Sequence, residues 1–270
     1  MSSGAIINRA IKHARENKVF WLVGLFAFFN PLTHRIAEEE SENTTGLLAD
    51  SGELVLGIAA ITLILFLLAT VIAHLMLIQA ANSKIEDQDI SLKRSFLASK
   101  NLWFPVLFII GFSQLLAFAF YWIVTYPVQY FIPIIRDSSL VTTFYFGLAE
   151  SIHAAFALLW LNSFVLEDKG IFRSFKRTAT LAFTRIDNLS SFFIAINLAL
   201  YIIITLIVNI GFVFYFILAE FLSNRTLITL GVVASPFLAA AIGFIFTVYI
   251  FAWTGLFKKI TADNNNAFIN

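Results

Sequence analysis

Residues 54–80 read LVLGIAAITLILFLLATVIAHLMLIQA. The stretch holds no Asp, Glu, Lys or Arg, and the uncharged run continues to Ser83. As a helix, residues 54–80 rise about 40 Å, while the hydrocarbon core of a bilayer is about 30 Å thick. His74 is the one interruption. A run of this length and character reads as a membrane span. Comparable uncharged runs recur at 101–135, 138–166, 188–219 and 226–257, and 138–166 has Glu150 inside it.

The whole chain agrees with that reading. Of 270 residues, 59% are hydrophobic and 13% charged, and Phe occurs 31 times. Soluble domains carry about 45–50% apolar and about 25% charged residues. The formal net charge is +1, which excludes a nucleic-acid binder driven by bulk charge. The chain has no Cys, so disulfides and Cys-ligated metals are excluded. The fold expected is all-α: a polytopic integral membrane protein, one domain over residues 1–270. Its six transmembrane helices fall at about 19–33, 54–80, 103–126, 141–166, 190–219 and 226–257. The first span is short. Its basic preceding stretch also resembles a signal peptide, but no small-x-small cleavage site follows.

Charge sets the orientation. Arg9, Lys12, Arg15 and Lys18 precede the first span. Lys84, Lys93, Arg94 and Lys100 follow the second. Lys169, Arg173, Lys176, Arg177 and Arg185 follow the fourth, and Lys258 and Lys259 the sixth. Only Arg35, Arg136 and Arg225 fall in the other loops. Basic residues collect on the cytoplasmic side, so both termini are expected there, in a multi-pass protein of the inner or plasma membrane. The first outer loop is acidic, with Glu38, Glu39, Glu40, Glu42, Asp50 and Glu53.

The cytoplasmic connections carry helical periods of their own. In 170–189, Phe172, Phe175, Ala179, Ala182, Phe183 and Ile186 share a face. Arg173, Lys176, Arg177, Thr180 and Thr184 take the other. This is a basic amphipathic helix suited to a membrane surface, with Arg173, Lys176 and Arg177 contacting anionic lipid headgroups. Residues 91–102 repeat it in shorter form, with Ser91 as the expected cap. The N-terminus fits as well, with Ile7, Ala10, Ile11 and Ala14 on one side. Each such stretch then reaches an Asn (Asn17, Asn101, Asn188) and enters a span. The chain therefore reads as three repeats of interfacial helix plus two spans.

Two motifs carry a family resemblance. They are Asn17-Lys18-Val19-Phe20-Trp21-Leu22-Val23-Gly24-Leu25-Phe26 and the run from Val165 to Arg177 that contains Leu166-Glu167-Asp168-Lys169-Gly170. They resemble an uncharacterised six-helix bacterial membrane protein family, similar to the membrane domain fused to some glycerophosphodiester phosphodiesterases. The resemblance implies architecture and no catalytic residues. No soluble phosphodiesterase domain accompanies it in this sequence.

Inside the spans, Gly231, Ser235, Ala239, Gly243 and Thr247 repeat every four residues, a small-residue stripe for helix packing. Pro236 beside it is expected to free a carbonyl and kink the helix. Gly147, Ser151 and Ala155 form a weaker stripe. Trp21, Trp103, Trp160 and Trp253 are expected in the inner interfacial belt. The intramembrane polar residues are Glu150, His153, His74 and Gln114. Glu150 and His153 share a helix face at i,i+3, but the second half of a di-iron carboxylate motif is missing. The expectation is therefore no metal and no cofactor.

Three functions remain. The first is a non-enzymatic membrane protein: a scaffold, accessory subunit or membrane-organising factor. It would work with anionic lipid and with a membrane-protein partner or a second copy, and without nucleic acid. The second is a small transporter or channel using Glu150 and His153 at the bilayer midplane. The third, a membrane-embedded lipid enzyme, rests on family analogy alone. The sequence favours the first, because no catalytic constellation is visible.

Overall fold

The computed structural model describes residues 2–28, 53–89, 91–120, 122–123, 126–132, 139–168, 170–200, 202–203 and 224–267. Residues 29–52, with the end of the first span and all of the expected acidic loop but Glu53, and residues 204–219 of the fifth span lie outside them. The described residues are all-helical. They form α1 (Ser3–Glu16), α2 (Val19–Phe28), α3 (Glu53–Ile85), α4 (Leu92–Ser99), α5 (Trp103–Phe120) and α6 (Tyr126–Phe131). Then come α7 (Ser139–Glu167), α8 (Ile171–Thr184), α9 (Ile186–Leu200) and α10 (Asn224–Ala267). Three stretches, Ile64–Ile85, Trp103–Phe120 and Thr229–Asp263, are long and apolar enough to cross a membrane.

Contacts among these helices run in a ring. α3, α7 and α10 touch one another at the centre. α2 lies against both α3 and α10, and α5 against both α3 and α7. α9 meets α10 through Phe192 and Trp253, whose ring centroids are 5.1 Å apart. Of the short amphipathic helices, α4 rests on α3 and α8 on α7, each a neighbour in sequence. α1 rests on α10, from the far end of the chain, and so closes the ring.

These helices dock through small residues four apart. The small buried positions are Ala10 and Ala14 on α1, Ser95 and Ser99 on α4, and Ser174 and Thr178 on α8, with Ile6 and Leu181 buried beside them. Ser99 donates to its own helix at Ser95 O (2.7 Å) and Ser174 to Ile171 O (2.7 Å). A hydroxyl spent this way permits close backbone approach in the manner of Ala. Ser91 precedes α4, but its side chain makes no cap bond. At α1 the cap is Ser2, whose hydroxyl accepts from Ala5 N at 3.3 Å.

The turn from α1 into α2 is tightly held. Asn17 Nδ2 donates to His13 O (2.9 Å) and Trp21 Nε1 to Ala14 O (2.8 Å). Carbonyls that α1 leaves open at its end are satisfied there. Asn101 and Asn188 are exposed, so the three Asn do not share one job. Two other turns are built alike. Glu86-Asp87 follows α3 and Glu167-Asp168 ends α7, and both Asp residues are left-handed, at φ 54° and 48°. Asp tolerates that conformation better than most residues, and it reverses the chain at a helix end. Each preceding Glu holds a cation: Glu86 meets Lys258 at 2.9 Å and Glu167 meets Arg177 at 3.6 Å. Lys258 holds the Glu86 carboxyl below its ordinary range.

α10 and α2 cross at backbone contact. Gly243 on α10 faces Gly24 on α2, and a Cβ on either would run into the other helix's backbone. Thr247 Oγ1 reaches both Phe20 O (2.9 Å) and Gly243 O (2.8 Å). Thr247→Val should therefore lower stability by about 1 kcal/mol, since hydrogen bonds between membrane helices are worth about 0.6 and at most about 1.7 kcal/mol. Unfolding of the purified protein in mixed micelles checks this.

The rest of the small-residue stripe behaves differently. Ala239 is half-buried, while Gly231 and Ser235 are exposed, and a Cβ on Gly231 would meet nothing. The helix continues through Pro236. The missing proline N–H frees the Val232 carbonyl, and Ser235 Oγ donates to it at 2.8 Å. Ser235 thus serves the backbone of its own helix rather than a neighbour. The tryptophans also depart from the expected belt. Trp160 and Trp253 are each 1% exposed and lie in the core, while Trp103 stays outside.

Candidate functional site

The candidate surface is built on α8. Its core side is Ile171, Ser174, Phe175, Thr178, Leu181 and Ala182, spaced i, i+3, i+4, i+7 and onward. Trp160 of α7 is the anchor. Its Nε1 donates to Ile171 O (3.1 Å) and Ser174 Oγ (3.0 Å), and its ring meets Phe175 at 4.9 Å. Arg177 is tied to Glu167 at 3.6 Å on the same side.

Two further sides remain open. Phe172 is 74% and Phe183 81% exposed, one flank of the helix with Ala179 between them. Arg173, Lys176, Thr180 and Thr184 form the adjoining exposed side. The sequence reading set one apolar face against one polar face. The structure shows three: Ser174, Thr178 and Leu181 turn inward, and Phe172 and Phe183 turn away from the bundle. Of the expected headgroup contacts, Arg173 and Lys176 are exposed, while Arg177 is half-buried in its ion pair.

Of the polar residues expected inside the spans, the two histidines are separately engaged. His74 is buried on α3, and its Nδ1–H donates to Thr70 O of its own helix (2.9 Å). Thr70 Oγ1 in turn donates to Phe26 O of α2 at 3.2 Å. His153 Nε2–H donates to Ser113 O at 2.8 Å, linking α7 to α5. Gln114 is half-buried beside Ser113. The Glu150 side chain lies outside the described residues. Among the described residues no three His, Asp or Glu side chains gather as metal ligands.

α1 brings a third feature. His13 Nε2 accepts from Arg9 Nε at 3.3 Å, while Nδ1 is buried 3.7 Å from Glu16, beyond hydrogen-bond reach. Burial first, then Lys84 and Arg9, hold the His13 pKa below its ordinary 6.5, against the opposing pull of Glu16. The folded state thus resists protonation of His13. Its contribution to stability is present above about pH 6.5 and is lost as pH falls through that value. His13→Gln should flatten the decline in melting temperature between pH 7.5 and 5.5.

Sequence reasoning passed over the Ser174–Trp160 dock, because a buried hydroxyl face reads as a polar one. The i,i+4 spacing of Ser174 with Thr178, and of Ser95 with Ser99, was the available signal. Comparison with protein families, curated proteins and solved structures finds no match to this chain.

Proposed function

We propose that this chain is a six-span, non-enzymatic membrane protein of three repeated units, with both ends on the cytoplasmic face. It acts as a scaffold that lays basic helices along the inner leaflet and organises anionic lipid, or a partner protein, around the bundle. The observation that carries this is the three-sided α8. One side packs on α7, one offers Phe172 and Phe183, and one offers Arg173 and Lys176. A helix lying in the plane of a membrane surface needs those three environments: protein, acyl chain and water. The ring of contacts and the matched Asp87 and Asp168 turns support the repeat. The binding of His74 and His153 to backbone carbonyls favours structural work for them over transport.

Single cysteines are unambiguous labels here, because the chain has none. Spin labels at Phe172→Cys and Phe183→Cys should report acyl-chain depth in liposomes. Labels at Arg173→Cys and Lys176→Cys should report water. Equal water access at all four overturns the reading. On intact cells, an impermeant maleimide should react at Thr45→Cys and spare Ser2→Cys and Asp263→Cys.

A further inference from the structure

Where α1, α3 and α10 meet, a crevice of about 290 Å³ opens. Its floor is apolar: Ile6, Ala10, Ala81, Ile85, Phe251 and Gly255. Its rim is basic: Arg9, His13, Lys258 and Lys259. Lys84 acts on His13 from the end of α3. Carboxylates are present too. Asp87 lies 3.8 Å from Arg9, Glu86 2.9 Å from Lys258 and Glu16 3.7 Å from His13. With Lys84, which stands near the crevice without lining it, four permanent cations face three carboxylates, and the surroundings are net positive. Among the described residues, Lys84 and Lys259 have no ion pair.

We infer that this crevice binds one anionic phospholipid, with its phosphate at Lys258, Lys259 and Arg9 and a chain segment on the Ile6–Phe251 floor. A soluble anion would leave the floor unused, and a neutral apolar ligand would leave the rim unused. Small-molecule pockets run about 300–1,000 Å³, so this volume admits part of one chain with the remainder outside. The inference rests on the proposed placement of α1 at the membrane surface, because only there does a lipid meet both parts. Buried His13 Nδ1–H is a further donor without a hydrogen-bond partner at the rim. The site is distinct from α8, which offers a surface rather than a crevice.

The test is native mass spectrometry of the full chain released from nanodiscs of equal phosphatidylglycerol and phosphatidylcholine. The expected result is one retained phosphatidylglycerol. Lys258→Gln with Lys259→Gln should weaken retention about 25-fold, about fivefold for each basic side chain. Arg173→Gln with Lys176→Gln on α8 should leave it unchanged. Equal retention of the two lipids, retention of neither, or full retention by the Lys258/Lys259 variant overturns the inference. Glycerol phosphate that raises the melting temperature as much as the lipid also overturns it, because the floor would then be idle. The spin-label depths at 172 and 183 are read independently. A failure of lipid retention therefore leaves the membrane-surface reading standing, and the two failures are told apart.

Discussion

A Gly243→Leu variant is expected to lose the native bundle. On Gly243, even a Cβ runs into the Trp21 carbonyl and lies 3.2 Å from Leu25 N. A Cβ on the facing Gly24 meets the Gly243 carbonyl and lies 2.5 Å from Thr247 Oγ1. The obstacles are mostly backbone atoms, which have no rotamer to retreat to. In lipid, helix association depends on close packing and hydrogen bonds, so separating these helices removes both. Thr247 would lose its reach to Phe20 O, and Trp21 its edge contact with Phe244 at 5.2 Å. Overpacking in a yielding core costs about 1–3 kcal/mol, and an unyielding backbone clash roughly 4 kcal/mol or more. The readout is a collapsed monodisperse peak on size-exclusion chromatography in mild detergent. Gly231→Ala is the matched control. Its Cβ enters open space, and replacing a helical glycine should gain up to about 1 kcal/mol.

The second large effect is at Trp160. Its side chain is 1% exposed and holds α8 by two hydrogen bonds and the Phe175 ring contact. Phe112 of α5 meets the same ring at 6.1 Å, so one side chain joins three helices. Trp160→Ala should cost roughly 3–5 kcal/mol. Trp160→Phe keeps most of the ring contact and loses the donor, at about 1 kcal/mol. Because α8 carries Arg173, Lys176 and Arg177, limited trypsin digestion reads its docking directly. The Ala variant should be cut within residues 171–185 before any other described helix, and the Phe variant far more slowly. Equal digestion of both variants and the parent would show that α8 is held by something else.

Much of the helical layout was legible in the sequence. Long uncharged runs located α3, α5, α7 and α10, and the 3.6-residue period located α1, α4 and α8. What escaped were the pairings. Gly24 is an isolated glycine in a short apolar run, and nothing in its neighbours names Gly243 as its counterpart. Trp160 and Trp253 sit where interfacial tryptophans usually sit, and only the packing turns them inward. By i,i+3 spacing Glu150 and His153 share a face of α7. The structure binds His153 to Ser113 on α5, a bond that no periodicity within α7 could reveal. The Ser235 hydroxyl looked like part of a packing stripe because spacing cannot separate a contact face from a repair beside Pro236. In each case the missing information was long-range.

The seating of α2 against α10 also sets an order of events during synthesis. The Thr247–Phe20 bond joins residues 227 apart. At ~5–20 residues per second, α2 waits roughly 10–45 s for its partner to leave the ribosome. Through that interval Gly24 on α2 has no facing helix to close on. The nascent chain therefore cannot mature from its beginning forward. α2 is secured by the segment around Gly243 and Thr247, and any chain cut short before Gly243 presents an unfinished seam to the quality-control machinery.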